Sequence, residues 1–259
     1  MISCDFSTLV GVQKGNKILL GDDCFFPAGC SCAKVDTGLS ELRAGVELFY
    51  EGGPLLKIIS GLWASSVPGA KTWIAEVMDI LPLSEKIELV VKKEGYSLAY
   101  ITLSDKGAAG DREDKAGPLI AEMVSEVLPT SLVQGYIIPD EFNDLKALIL
   151  QLAHLSKFDL ILTTGGTGVG PRDVSPEATM AVIDKRLTGF ERAIVAVGLE
   201  KTPHAMISRA VAGTVGESVV INFPGSPKAV KESLAAVLPA LKHTVDKLQG
   251  DKSDCATVL

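Results

Sequence analysis

Apolar and polar positions along the chain follow two regimes that meet near Gly95. Beyond that point, short unbroken apolar runs alternate with stretches of helical period, the pattern of a parallel α/β sheet covered on both faces. Residues 98–103 read as a buried strand. Residues 114–128 read as a helix with Pro118 in its first turn and Leu119, Ile120, Met123, Val124, Val127 and Leu128 on one face. A strand over 132–138 follows, then a helix presenting Leu145, Leu148, Ile149, Leu152 and Leu155, then a strand over 160–163. The next helix starts near Ser175 as N-cap, with Pro176 at its first position and Glu177 placed for the helix dipole. Another covers about 190–199. Residues 219–223 form the last strand, and a long final helix turns Val230, Leu234, Val237, Leu241, Val245 and Leu248 inward, with Pro239 as a point of bending.

The first 95 residues are less regular. Residues 10–20 read as a hairpin turning at Gly15-Asn16, residues 55–59 and 87–91 as strands, and 72–81 as either helix or strand. A small β-rich domain over 1–95, an α/β domain over 96–250 and a frayed tail over 251–259 are therefore expected.

Composition narrows the class. A chain of 259 residues, 47% hydrophobic and 22% charged, is globular rather than disordered or fibrous. It has no run of about 18 apolar residues, and Met1 to Phe6 lack the basic and apolar parts of a secretory signal, so a cytoplasmic protein with no membrane partner is expected. The net charge of −7 is evenly spread: residues 1–95 carry 9 basic and 12 acidic side chains, and 96–259 carry 16 and 20. Such a chain is a poor match to a nucleic-acid backbone. Small anions stay open, because glycine-rich turns and helix N-termini bind phosphate through backbone N–H groups. The five cysteines form no disulfide framework, and the spacing of Cys24, Cys30 and Cys32 matches no standard zinc pattern, which leaves ordinary reduced thiols. His154, His204 and His243 show no metal-ligand spacing.

Candidate chemistry gathers at strand ends. The segment Thr164-Gly165-Gly166-Thr167-Gly168 and its continuation to Arg172-Asp173 follow a predicted central strand, where α/β sheets bind ligands. The spacing is neither a phosphate-binding Walker loop nor a dinucleotide fingerprint, and the glycines fit a ligand cradle or a tight turn. A second strand-to-helix turn, Asn222 to Lys228, offers Gly225, Ser226 and Lys228 to an anion or serves as a plain capped helix start. Asp140 and Asp173 each lie at a strand end, as a helix cap or, if their strands are neighbours, as a pair able to hold Mg²⁺. Thr102, Ser104 and Asp105 close the first strand ahead of a polar loop over 106–114. Ser208 and Arg209 follow a helical segment. Each group fits a surface loop or a contact to an oxygen-rich substrate.

Taken together, Gly165-Gly166-Thr167-Gly168 with Pro171 to Thr179, Ile138-Pro139-Asp140-Glu141, Leu103-Ser104-Asp105, Ser208-Arg209 and Asn222 to Lys228 resemble the molybdopterin adenylyltransferase family, which includes the gephyrin G domain. The resemblance spans about 97–249, with every block in order. It implies a three-layer α/β/α domain with a mostly parallel sheet, assembled as a homotrimer and serving a molybdenum insertase as partner. It also implies transfer of AMP from Mg-ATP to the terminal phosphate of molybdopterin with release of pyrophosphate. Asp140 and Asp173 match the family's two essential aspartates and would hold Mg²⁺. Ser208 matches a serine at the pterin site, and the backbone N–H groups of 165–168 would orient phosphate oxygens. Ser175 stands where the family usually has Thr, with the hydroxyl retained. The family domain does not need residues 1–95, whose place suggests an accessory domain on the same pathway. The related insertase domain tends toward Gly-Gly-Val-Ser-x-Gly, so Gly-Gly-Thr-Gly with Arg172-Asp173 favours the transferase. A catalytically silent pterin-binding scaffold is the alternative of a different class.

Overall fold

The structure is a computed structural model describing residues 1–21, 31–63, 71–84 and 86–252, and it divides into two compact units. Cys24, Cys30 and the tail from 253 onward lie outside the described residues.

The first unit comprises Met1–Ser97 with Thr130–Leu132 and His154–Phe158. Its strands are β1 (Ile2–Asp5), β2 (Lys17–Gly21), β3 (Cys32–Thr37), β4 (Glu47–Tyr50), β5 (Gly53–Trp63), β6 (Lys71–Val77) and β7 (Ile87–Lys92). They close a barrel in the order β1-β3-β2-β6-β5-β4-β7, with β7 returning to β1. Neighbours are antiparallel except β2 and β3. Alternation buries Ile2, Cys4, Ile18, Leu20, Leu56, Trp73, Ala75 and Leu89, and closure pairs each described strand of the barrel on both sides. Burial also pushes the Cys4 thiol up to about 12, so it packs as a small hydrophobe.

Two expectations change here. The hairpin over 10–20 does not form: residues from Val10 to Asn16 make turns, and the strand begins at Lys17. Gly11, Gln13, Lys14, Gly15 and Asn16 supply no apolar face to bury, and Val10 is 78% exposed. The ambiguous stretch over 72–81 contributes a strand, because Thr72, Trp73, Ala75 and Val77 are buried in a ladder between β2 and β5.

The second unit comprises Leu98–Pro129, Val133–Ala153 and Asp159–Leu259. Strand β8 (Tyr96–Leu103) leads through the short α1 (Asp105–Ala108) to α2 (Ala116–Val127) and β9 (Thr130–Ile138). Helix α3 (Phe142–Leu150) runs on into a π turn over Gln151–Leu155 before β10 (Leu160–Thr164). After α4 (Ser175–Met180) come β11 (Lys185–Arg186), α5 (Thr188–Leu199), a 3₁₀ turn over Pro203–Ile207, β12 (Ala212–Val215), β13 (Ser218–Phe223) and α6 (Pro227–Leu248). The sheet order is β11-β12-β13-β10-β8-β9. Every residue of β10 and β13 is buried, as expected of strands covered on both faces. Helices α2, α5 and α6 pack together, as do α3 and α4.

The expected mostly parallel sheet is in fact mixed. Strand β10 is parallel to β8 and β13, but β12 is antiparallel to both β13 and β11. The cause is local: Val215 pairs with Ser218 across the two-residue turn Gly216-Glu217, and Gly216 takes φ +54°. A tight hairpin of this kind joins only antiparallel strands.

Candidate active site

The three parallel strands end side by side, with Thr164 of β10 level with Thr102 of β8 and Phe223 of β13. The end of β9 joins them, because the Ser104 N–H donates to Ile138 O at 3.0 Å. The loops that leave these ends therefore enclose one cleft of about 840 Å³. Ser104, Asp140, Thr164, Gly165, Gly166, Asp173, Gly225 and Ser226 line it. Asp105, Thr167, Gly168, Ser208 and Lys228 lie outside its lining.

Asp140 and Asp173 are not helix caps, since Glu141 and Val174 occupy the N-cap positions of α3 and α4. Asp140 Oδ2 accepts the Asp105 N–H at 3.0 Å, and Asp105 Oδ1 accepts the Asp140 N–H at 3.1 Å. Arg172 grips Asp105 with Nε (3.1 Å) and Nη2 (2.7 Å) and reaches Glu141 Oε1 with Nη1 at 2.6 Å. One guanidinium thus ties together the loops after β8, β9 and β10. Its hydrogen bond holds the Asp105 carboxyl below the ordinary value. Burial pushes Asp140 the other way. The Asp105 N–H and Arg172 work against that rise, and the negative charges of Asp105 and Asp173 add to it.

Asp173 is aimed by its own turn: Gly170 N–H donates to Asp173 Oδ2 at 2.7 Å, and Asp173 N–H to Gly170 O at 3.0 Å. Glycines make room for both carboxylates. A Cβ on Gly168 would stand 2.8 Å from Asp173 Oδ2, and one on Gly166 would stand 3.3 Å from Asp140 Oδ1.

Several expected roles change. Ser175 is not an N-cap: it is fully buried, its Oγ donates to Gly165 O at 2.6 Å, and its N–H donates to Gly166 O at 3.1 Å, pinning the glycine turn from beneath. The Gly165 N–H donates to Phe223 O at 3.2 Å, so it is not available to a phosphate. Thr164 Oγ1 donates to Pro224 O at 2.7 Å and fixes the second turn against β10. Ser226 Oγ caps α6 by accepting the Ala229 N–H at 3.3 Å, and Lys228 is exposed. Ser208 Oγ is buried without a partner among the described residues.

Sequence reasoning left one wall of the cleft unassigned. Residues 111–116, within or just after the polar loop that follows the first strand, line it with the cations Arg112 and Lys115 among Asp111, Glu113 and Asp114. Asp114 holds this wall. It accepts Thr102 Oγ1 at 2.7 Å with one oxygen, and the Ala116 and Gly117 N–H groups at 3.0 and 3.1 Å with the other. That is also why α2 begins at Ala116 rather than at the expected Asp114. A carboxylate two residues before a helix, followed by small residues, was the available signal.

A cleft beyond the carboxyl ends of parallel strands, with carboxylates and glycine turns at its mouth, marks an α/β domain built to bind a small molecule. The chain belongs to the family described as probable molybdopterin binding domain, which matches residues 99–243, more than half of its length. It is 40% identical over 172 residues to gephyrin of Dictyostelium discoideum, covering 63% of this chain and 24% of that protein. It is 37% identical over 155 residues to the molybdopterin adenylyltransferase of Helicobacter pylori strain J99, covering 60% of this chain and 88% of that one. The chain thus spans about a quarter of the gephyrin relative and most of the bacterial one. The solved structure of the molybdopterin biosynthesis enzyme MoaB from Thermus thermophilus matches with TM-score 0.57 at 40% identity, over 60% of this chain and 98% of that one. No helix among the described residues is long and apolar enough to cross a membrane.

Proposed function

We propose that the chain is a molybdopterin adenylyltransferase of molybdenum cofactor biosynthesis, with residues 96–250 as its three-layer catalytic domain. The observation that carries this reading is the placement of Asp140 and Asp173, from the loops after β9 and β10, on one cleft with the turn Thr164-Gly165-Gly166. In the reaction a terminal phosphate oxygen of molybdopterin bonds to the α-phosphorus of ATP, and the bond from that phosphorus to pyrophosphate breaks. Two anionic groups must meet, so positioning and charge neutralisation, rather than a protein nucleophile, have to supply the catalysis.

The donor set fits Mg²⁺. Mg²⁺ is usually bound through one or two carboxylates together with substrate phosphates and water. Asp140, crowded by Asp105 and Asp173, is the kind of carboxylate a cation relieves. Mg²⁺ held by Asp140 and Asp173 would reduce the repulsion between substrates and stabilise departing pyrophosphate. On the wall formed by residues 111–116, Arg112 offers a cation to phosphate groups beside Asp111, Glu113 and Asp114, Lys115 pairs with Glu113 at 3.9 Å, and Ser104 lines the cleft as the N-cap of α1, accepting the Gly107 N–H at 3.0 Å. A homotrimer, a cytoplasmic setting, delivery of product to an insertase and an accessory role for residues 1–95 belong to the same proposal.

Purified protein given molybdopterin and Mg-ATP is expected to release pyrophosphate only when the pterin is present. Tight pterin binding without pyrophosphate would identify a silent binder instead. Loss of AMP from pre-adenylylated pterin with molybdate, without its formation, would identify an insertase.

A further inference from the structure

The glycine loop has two ends, and they are anchored differently. Its near end, Gly165-Gly166, is pinned by Ser175 and by Phe223 O. Its far part, from Thr167 to Asp173, is held by a residue from another part of the chain. Arg209 donates its backbone N–H to Thr167 O at 3.0 Å, Nε to Gly168 O at 2.7 Å and Nη2 to Asp173 O at 3.0 Å. Its remaining nitrogen, Nη1, pairs with Glu177 in the first turn of α4. The arginine stands on firm ground, because buried Ala210 and Val211 lead directly into β12, and Val211 O accepts the Asn222 N–H of β13 at 2.9 Å.

We infer that Arg209 is a positioning residue, a clasp that closes the turn from Gly168 to Asp173 by binding the carbonyls at both its ends and so holds the Asp173 carboxylate at the cleft. The inference rests on the role of Asp173 given above. Three features separate a clasp from an ordinary ion pair. A planar guanidinium with fixed donors suits several acceptors at set angles, which a lysine ammonium does not. Two of its three side-chain bonds go to backbone carbonyls, so what they fix is chain path rather than surface charge. Arg209 also lies outside the lining of the cleft, so it acts on substrate only through the loop. The hydrogen bond from Arg209 holds the Glu177 carboxyl below its usual value.

The test is hydrogen–deuterium exchange combined with steady-state kinetics on the full chain, comparing wild type with Arg209→Gln, Arg209→Lys and Glu177→Gln. For Arg209→Gln, exchange at residues 167–173 is expected to rise at least tenfold while amides of β10 and β13 keep wild-type protection. Its kcat should fall by about 100-fold, the scale of a misplaced catalytic group, with KM for molybdopterin within about twofold. Arg209→Lys is expected to recover little of the kcat lost in Arg209→Gln. Glu177→Gln, which leaves the carbonyl bonds in place, should shift both readouts in the same direction by a smaller amount. Wild-type exchange at 167–173 in Arg209→Gln would overturn the inference, and so would a raised KM with unchanged kcat. If the Arg209 variants do not fold, wild-type exchange and kcat in Glu177→Gln would overturn it. Absence of AMP transfer in the wild type would sink the proposed activity alone, because the exchange measurement reports on the clasp without it.

Discussion

Asp173→Asn is expected to abolish AMP transfer, with turnover down by about 10³-fold, while the protein stays folded. The amide oxygen of asparagine can still accept the Gly170 N–H that now reaches Asp173 Oδ2, so the turn persists. What disappears is a negative charge at the mouth of the cleft, and losses of charge stabilisation at a reacting centre commonly cost two to three orders of magnitude. Pyrophosphate release at saturating Mg-ATP, set beside the thermal midpoint, measures both halves. A wild-type rate would remove Asp173 from the machinery. Asp140→Asn should lose turnover similarly but differ in stability. Asp140 sits near Asp105 and Asp173, and burial raises its pKa. A carboxyl whose folded-state pKa is raised supports the fold below its unfolded value and loses that support as pH rises through the raised one. At neutral pH the ionised group is therefore a liability, and Asp140→Asn, which removes both its burial cost and its repulsion with Asp105 and Asp173, is expected to raise the midpoint more than Asp173→Asn, which relieves only the repulsion between the two. A site that trades stability for chemistry in this way is a common pattern.

The parts of this molecule that were legible in its sequence share one property: burial on a regular period. Strands β8, β10 and β13 are runs of buried residues, and α6 repeats its apolar positions over 22 residues, so hydrophobic pattern alone locates them. Elements set by backbone geometry were harder to see. Strand β12 pairs with β13 because a two-residue turn at Gly216-Glu217 folds the chain back, β11 then adds to its far edge, and nothing in the apolar pattern reports that turn. The barrel was obscure for a related reason, since several of its strands have distant partners: β1 pairs with β3 and β7, and β2 with β3 and β6.

At the site, residue type and spacing pointed to Asp140, Asp173 and the glycines, but not to their supports. Ser175 looked like a cap because serine before Pro176 and Glu177 is favoured there. Its hydroxyl instead serves a carbonyl ten residues back, a contact that only the folded loop creates. Arg172 and Arg209 stood out as motif residues but not as supports of the loops, because their partners lie 31 to 67 and 32 to 41 residues away.

Gly165→Ala is expected to be the most damaging single methyl in the second unit. Gly165 adopts φ +96°, where an L side chain is strained by about 1–3 kcal/mol. Its Cβ would also collide with the carbonyl oxygen of Leu103, a backbone atom at the end of a buried strand that cannot swing aside. Forcing extra volume into such a packed position costs about another 1–3 kcal/mol. Gly110→Ala isolates the first contribution: that residue has φ +81° with nothing within 4 Å of an added Cβ, so strain acts there without collision. Urea unfolding should show Gly165→Ala less stable than Gly110→Ala by roughly the overpacking cost. Its turnover should fall as well, because the displaced segment abuts Gly225, lines the cleft with it and leads to Asp173. Equal losses of stability in the two variants would mean that the ends of β8 and β10 yield to each other. The close approach of Gly165 to Leu103 would then not be what fixes the mouth of the cleft.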